Sequence, residues 1–516
     1  MGFLTALLLA LVLLCAIWVR AVRRRRGQLP YPPGPPADPL IGHIRIMPST
    51  DVAHEVFHDW AQQYGDVMSL NVLGTRYVIL NSAEAATDLL EKRNSKYADR
   101  PTFPMYERVG WKDALVFLPY GSYFRKQRKM VQLPFEKEKV TDFRHIEEQE
   151  SCVMLYNIFS DPDNRDAFVH RYTTGVTMEL TYGHRVVSDE DEYLKAADMI
   201  IDVLRSVTRP SLLDVSPLFE KLPAWFPGAW FVKCIKETNP VVLREIQRPV
   251  SVVQQKLMAG TAKSSFVSQH LEELSREKRL SEEDLYTVSM AAHRVFAGGT
   301  ETAWHTIMTF IACMLTNPDV QRKGQEELDR VVGSGRLPDF TDRDSLPYVD
   351  CIVKETMRWQ PVVPLSVPHR AMEDDEYRGM HIPKGATIIP NARGITWDER
   401  HFHEPRTFKP ERFLPMPQGA GEVFPQSAVY GWGRRICPGR YFADDMVWLA
   451  VARILAVFDI RKAVDADGNV VEPRIEFATV LTSHPKPFPC SLQPRSEKAG
   501  ELIRQAYEMH MANVEA

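Results

Sequence analysis

The chain has 516 residues, 44% hydrophobic and 25% charged, with 63 Lys and Arg against 67 Asp and Glu for a net charge of −4. Such a composition can bury a large core, which excludes a disordered or low-complexity chain, and the near-neutral charge gives no reason to expect nucleic acid as a partner. Seven scattered cysteines without a C-x-x-C pair exclude a disulfide framework and a zinc site, and point to folding in a reducing compartment.

The first element is an uncharged apolar run from Phe3 to Val19. At about 1.5 Å per residue, such a helix with its flanks crosses the roughly 30 Å core of a bilayer. Arg20, Arg23, Arg24, Arg25 and Arg26 follow the run instead of preceding it, the order of an anchor and the reverse of a cleaved signal peptide. By the positive-inside bias those arginines stay cytoplasmic, so residues 1–26 are expected to be a single-pass membrane anchor with everything after it in the cytosol. Residues 27–38 carry Pro30, Pro32, Pro33, Pro35 and Pro36, which predict a stiff, extended hinge.

From 39 to 516 no repeat and no second such linker appears, so one domain is expected. Helical periodicity dominates, at Ile146–Phe159, Leu285–Leu315, Pro318–Val332 and Tyr348–Trp359. Strand-like runs are short: Val67–Val72 with Tyr77–Leu80, Thr387–Pro390 and Ile475–Leu481. A Pro- and Gly-rich stretch from Asp398 to Trp432 predicts a long loop, a feature that is usually functional in compact proteins. The fold class is mainly α with small β-sheets.

Four motifs carry chemistry. The sharpest is Tyr430-Gly431-Trp432-Gly433-Arg434-Arg435-Ile436-Cys437-Pro438-Gly439. Its glycines imply tight turns and close approach to something flat, and two arginines beside one cysteine favour thiolate over thiol. A thiolate presented from such a loop suits one axial bond to haem iron, where electron donation favours O–O cleavage. The second motif, Phe296-Ala297-Gly298-Gly299-Thr300-Glu301-Thr302, puts two glycines inside a helix at about 1 kcal/mol each, a cost that suggests a functional kink or a close neighbour. In the third, Glu355 and Arg358 share a helical face three residues apart, with Pro410-Glu411-Arg412-Phe413 further on. The fourth is the basic stretch Phe124-Arg125-Lys126-Gln127-Arg128-Lys129.

Together these motifs resemble the cytochrome P-450 superfamily of haem-thiolate monooxygenases, in its microsomal type, over essentially the whole chain. The family's F-x-x-G-x-R-x-C-x-G signature is matched except that Tyr430 stands for the Phe. The resemblance implies a cytochrome P-450 fold behind a transmembrane helix, with haem b bound through Cys437. Gly298 and Gly299 would open the dioxygen groove on the central helix, and Glu301 with Thr302 would deliver protons for O–O cleavage. Glu355, Arg358 and Arg412 would form a buried structural triad pinning the cysteine loop. Arg128, Arg370 and Arg435 would reach the haem propionates, while Phe124 replaces the family's Trp and loses its N–H.

Arg125, Lys126, Lys129 and Arg434 would form the docking patch for an NADPH-cytochrome P-450 reductase, the source of electrons. Pocket-lining stretches are expected near Pro104–Leu118, Ser206–Leu213, Val295–Gly299, Val362–Val367 and Thr479–Thr482. An aromatic loop from Leu222 to Trp230 would dip into the endoplasmic reticulum membrane. The likeness to fungal secondary-metabolite members implies a lipophilic small-molecule substrate, with a terpenoid first and an aromatic or alkaloid scaffold second. Two alternatives stay open: a reductase-independent isomerase, dehydratase or peroxygenase, and a haem-binding sensor.

Overall fold

Helices carry most of the chain in this computed structural model, which describes residues 29–188, 190–208, 211–215, 217–277 and 280–515. The expected anchor, residues 1–26, and the first two residues of the hinge lie outside the described residues. In chain order the main helices are α1 (Ala53–Tyr64), α2 (Ser122–Gln132), α3 (Arg144–Ser160), α4 (Arg165–Tyr182), α5 (Glu192–Val207) and α6 (Trp230–Met258). They continue with α7 (Phe266–Arg276), α8 (Glu282–Thr316), α9 (Pro318–Val331), α10 (Pro347–Trp359), α11 (Arg440–Val457) and α12 (Glu497–Glu515). Among the described residues no helix is long and apolar enough to cross a membrane.

The strands are β1 (Val67–Val72), β2 (Thr75–Leu80), β3 (His369–Arg370), β4 (Asp375–Tyr377), β5 (Met380–Ile382) and β6 (Thr387–Pro390). Near the C-terminus follow β7 (Phe458–Arg461), β8 (Phe477–Thr479), β9 (Ser483–Pro485) and β10 (Ser491–Pro494). One sheet has the order β1-β2-β6-β3, in which only β2 and β6 run parallel, and the rest are two-stranded pairs. The strand expected over Ile475–Leu481 is shorter, because Val480 and Leu481 form the turn between β8 and β9.

The ends of α8 and α9 follow their sequence signals. Ser281 caps α8 by accepting the Asp284 N–H at 3.1 Å, and Glu282, Glu283 and Asp284 sit where the helix dipole is positive. Pro318 opens α9 at a position that needs no N–H donor. Among the long helices not named from periodicity, two show why it fails. α4 is buried on nearly every side and so shows no apolar stripe. α6 contains Pro240 and Pro249, each of which removes an N–H and costs about 3 kcal/mol in a helix interior, yet its buried face holds the helix together.

α8 runs through the centre, with α4 along one side and α6, α7, α10 and α11 around it. The largest apolar core lies between these helices, and α11 is buried along most of its length. Within the expected loop Asp398–Trp432, short helices form at Pro410–Phe413 and Gln426–Tyr430.

The proline stretch is extended, as expected, but from Leu29 on it is no free spacer. The Pro30 and Pro33 carbonyls accept the His381 and Ser69 N–H groups, both at 2.7 Å, and Pro32 O accepts the Ser69 hydroxyl. Gly34 lies so close to β1 that a Cβ there would stand 2.2 Å from Ser69 O. This part of the hinge therefore belongs to the edge of the sheet.

Candidate active site

The cysteine loop is held by its own backbone. The Cys437 N–H donates to Tyr430 O at 2.7 Å, closing a turn in which Gly431 and Gly433 adopt φ of 89° and 54°. At Gly433 an added Cβ would lie 2.3 Å from Leu90 O, so this left-handed position tolerates only glycine. Tyr430, where the motif has Phe, gives its hydroxyl to Met357 Sδ at 3.4 Å, so the extra polar atom is satisfied inside the core. Behind the loop, Arg358 bonds Glu355 in two-pronged fashion at 2.7 and 2.8 Å, and Arg412 adds a third bond at 3.1 Å. All three side chains are buried, with relative exposures of 0%, 0% and 1% for Glu355, Arg358 and Arg412. The triad is joined by Glu422, which accepts from Arg412 at 2.8 Å and which no motif pointed to. Arg412 also donates to the carbonyls of His403 and Thr407, and so ties the Asp398–Trp432 loop to α10.

Above the loop, α8 faces Cys437 across a cavity of about 350 Å³. Four of the five expected stretches supply its wall, through Leu115–Phe117, Val295 with Ala297–Gly299, the 362–367 segment, and Leu481 with Thr482. Ser206–Leu213 supplies none among the described residues. The two glycines of α8 have separate tasks. A Cβ on Gly298 would enter open space, whereas one on Gly299 would meet Thr177 of α4 at 2.7 Å. Gly298 therefore leaves room in the cavity, and Gly299 lets α4 approach. The Thr302 hydroxyl donates to Gly298 O at 2.7 Å, and Glu301 Oε1 accepts from the Thr482 hydroxyl at 2.7 Å. Glu301, Thr302 and Cys437 all line the same cavity.

The basic residues are sorted differently from the expectation. Arg128 and Arg435 line the cavity, and Arg128 donates to Ile436 O at 2.6 Å. Arg370 does not line it; its guanidinium pairs with Asp99, and its strand neighbour His369 faces the cavity instead. Successive strand side chains point to opposite faces, so either residue of the pair fitted the sequence and only the register of β3 decides between them. Arg100, which no motif singled out, also lines the cavity and donates to the carbonyls of Val367 and Pro368. Phe124 has no N–H to offer, but the Arg435 guanidinium lies 3.7 Å from its ring centre.

Haem fits this set of residues. Burial lowers the pKa of Arg100 and His369 well below the ordinary values, lowers that of Arg128, and brings Arg435 down to about 10. Arg100 and His369 also sit near Arg435, as Arg435 sits near Arg128, and each is depressed by its neighbour's charge. Arg100, Arg128 and Arg435 are thus a cluster of buried cations, with Asp99 the carboxylate acting on Arg100 and Arg435, and such a cluster calls for an anion that the two haem carboxylates would supply. Gly298 and Gly439 both line the cavity and face open space, which would leave room for a flat ring. Burial also raises the Cys437 thiol pKa, against the Gly439 N–H and the charges of Arg128 and Arg440, and coordination by iron would take the sulfur as thiolate. The cations acting on the sulfur are thus Arg128 and Arg440. Arg434 instead bonds the Tyr120 hydroxyl, and Arg435 bonds the carbonyls of Ala98 and Leu118.

Comparison with known proteins agrees with this geometry. The cytochrome P-450 family model matches residues 32–489. Cytochrome P-450 monooxygenase 136 of Postia placenta is 36% identical across 95% of this chain and 94% of its own length. A cytochrome P-450 monooxygenase of Armillaria gallica is 38% identical across 96% of this chain and 97% of its own. Cytochrome P-450 monooxygenase claR of Ampulloclitocybe clavipes is 36% identical across 94% and 90%. Matched over nearly its whole length and built around a half-buried cysteine facing a glycine-opened helix, the chain belongs to the cytochrome P-450 family of haem-thiolate monooxygenases.

Proposed function

We propose that the protein is a membrane-anchored monooxygenase of the endoplasmic reticulum that uses NADPH-derived electrons to hydroxylate or otherwise oxidise a lipophilic small molecule. A fungal secondary metabolite, such as a terpenoid, is the substrate class that best suits the apolar wall and the fungal relatives. The observation that carries this reading is the Glu301–Thr302 pair on the cavity wall facing Cys437.

Haem held by Cys437 Sγ and by Arg100, Arg128, His369 and Arg435 would supply dioxygen activation and oxygen transfer. The protein's own residues manage protons and water. Thr302 commits its hydroxyl proton to Gly298 O, which leaves the Oγ1 lone pairs to accept a hydrogen bond from water in the cavity. Glu301, bonded to Thr482, is the carboxylate placed to take protons up and pass them on. Val116, Val295, Val363 and Leu481 give the cavity an apolar wall that disfavours bulk water.

Arg125, Lys126, Lys129 and Arg434 are all exposed and form the basic patch that suits a reductase; Lys126 is paired with Asp284 at 2.9 Å and Arg434 bonds the Tyr120 hydroxyl, so Arg125 and Lys129 are the members with their charge least engaged. Residues 1–26 are read as the anchor. Trp225, 81% exposed, and Phe226 beside it suit a second contact with the bilayer. Removing residues 1–26 is expected to release most of the protein from membranes without loss of haem binding.

The test is reconstitution of the full chain with NADPH-cytochrome P-450 reductase in bilayers under labelled dioxygen. Substrate-dependent NADPH consumption with label in the product is the expected result. Product formed at an unchanged rate without NADPH or reductase would replace this reading with a peroxygenase or isomerase.

A further inference from the structure

The cavity holds one charge that neither the haem fit nor proton delivery uses. Arg294 of α8 lies on its wall, which Val116, Phe117, Val295 and Leu481 also line. Among the described residues no hydrogen bond or ion pair reaches its guanidinium, and its Nε is buried without a partner. Burial draws its pKa down to about 10, with the nearby Glu301 carboxylate opposing the fall, so the group stays cationic at neutral pH. Glu301 sits two turns further along the same helix and is engaged by Thr482.

The surroundings of Arg294 are also fixed. Its Cζ lies 5.9 Å from the ring of Trp111, which is fully buried and donates its Nε1–H to His293 Nε2 at 3.1 Å. Burial holds the His293 pKa well below its ordinary value, so the imidazole stays neutral and can accept that bond. A guanidinium backed by an aromatic ring, with its donors free on an apolar wall, is a costly arrangement that an incoming anion would relieve.

We infer that Arg294 anchors a carboxylate of the substrate, which makes the substrate a lipophilic carboxylic acid. The inference rests on reading the cavity as a monooxygenase site and names the substrate class of that site. A planar fork of N–H donors matches a carboxylate with two parallel bonds, and a neutral ester or alcohol cannot replace it. The position also sets where oxidation falls. Thr302 lies eight residues along α8, about 12 Å at the helical rise. Side chains on a helix lean toward its N-terminus, so the guanidinium points further from Thr302. The carbon oxidised is therefore remote from the carboxylate, at the opposite end of an elongated skeleton.

The experiment uses the haem-loaded full chain, titrated with dodecanoic acid and with a diterpenoid resin acid. Their methyl esters and corresponding alcohols are titrated in parallel, and binding is read from the haem absorbance shift. Both acids are expected to bind more tightly than their esters. Arg294→Gln should weaken acid binding by about ten- to a hundredfold and leave ester binding unchanged. Arg294→Lys, which keeps the charge, should retain part of the preference. Equal affinity for acid and ester in the unaltered protein, no binding of either acid at millimolar concentration, or equal losses for acid and ester in Arg294→Gln would each overturn the proposal. NADPH-dependent product is measured separately on the same preparations. Absence of product would count against the monooxygenase reading, while the acid-to-ester ratio still decides the anchor.

Discussion

The two walls of the cavity are held by different kinds of bond. On the cysteine side the main chain does the positioning. Cys437 N–H reaches Tyr430 O, Arg128 and Arg435 clamp the carbonyls of Ile436, Ala98 and Leu118, and Gly433 leaves no space for a side chain. On the α8 side, side chains carry the bonds: the Thr302 hydroxyl bonds its own helix and Glu301 accepts from the Thr482 hydroxyl. Arg294 holds none among the described residues. Backbone bonds to a buried loop leave one arrangement and one ligand atom. A helix face can exchange side chains without altering its backbone, so it carries what differs from one substrate to another.

The largest effect should come from breaking the rigid wall at its chemical centre. Cys437→Ser is expected to abolish the red-shifted Soret band of the reduced, carbon-monoxide-bound protein, while the other cysteines can be replaced without that loss. A normal band in Cys437→Ser would remove the basis for assigning the iron ligand.

Next in size is the triad behind that wall. Arg358→Ala leaves the Glu355 carboxylate at 0% exposure with only Arg412 and the Lys409 N–H to face it. A buried charge deprived of a partner costs about 3–5 kcal/mol, so little haem-loaded protein should be recovered and denaturant unfolding should shift to lower concentration. Unchanged loading and an unchanged midpoint would show that the loop does not depend on the pair.

On the α8 wall a substitution should alter chemistry without altering folding. Thr302→Ala is expected to bind haem and substrate normally and still to accept electrons. Product per NADPH should fall and hydrogen peroxide should rise, within the roughly 10²–10⁴-fold range that general acid catalysis supplies. Unchanged coupling would take proton delivery away from Thr302.

The smallest effect belongs to the outer surface. Reversing the charge of Arg125 and Lys129 should slow reductase-dependent reduction by about a few-fold at low salt and less at high salt, because rim charges act mainly on association. A rate independent of both the reversal and the salt would place the docking surface elsewhere.

Much of the rigid wall was legible in the sequence, because its requirements are narrow. A left-handed glycine against a carbonyl and a cysteine in a tight turn admit few alternatives, so Gly433 and Cys437 stand out as letters. The Glu355–Arg358 spacing was legible too, although an exposed pair has the same spacing. Only the burial contributed by Arg412 and the loop distinguishes the two, and Glu422 became visible only with that burial. Arg100, His369 and Arg294 carried no signal, since a single basic residue acquires meaning only from what it faces. Arg370 shows the same limit from the other side: as a letter it suited the haem, and in space it belongs to Asp99.

The sequence by itself determined the family, the cysteine loop and the mainly helical class, through local patterns that backbone sterics and turn chemistry make specific. Pro318 at the start of α9 follows the same local rules, and the Ser281 cap of α8, four residues before the periodic run that began at Leu285, obeys them too. The tertiary structure alone decided which basic residues line the cavity, that the prolines after Leu29 edge the sheet, and that Gly298 and Gly299 face different neighbours. These outcomes depend on which face of a strand or helix meets which partner, and that choice is made by packing between segments hundreds of residues apart.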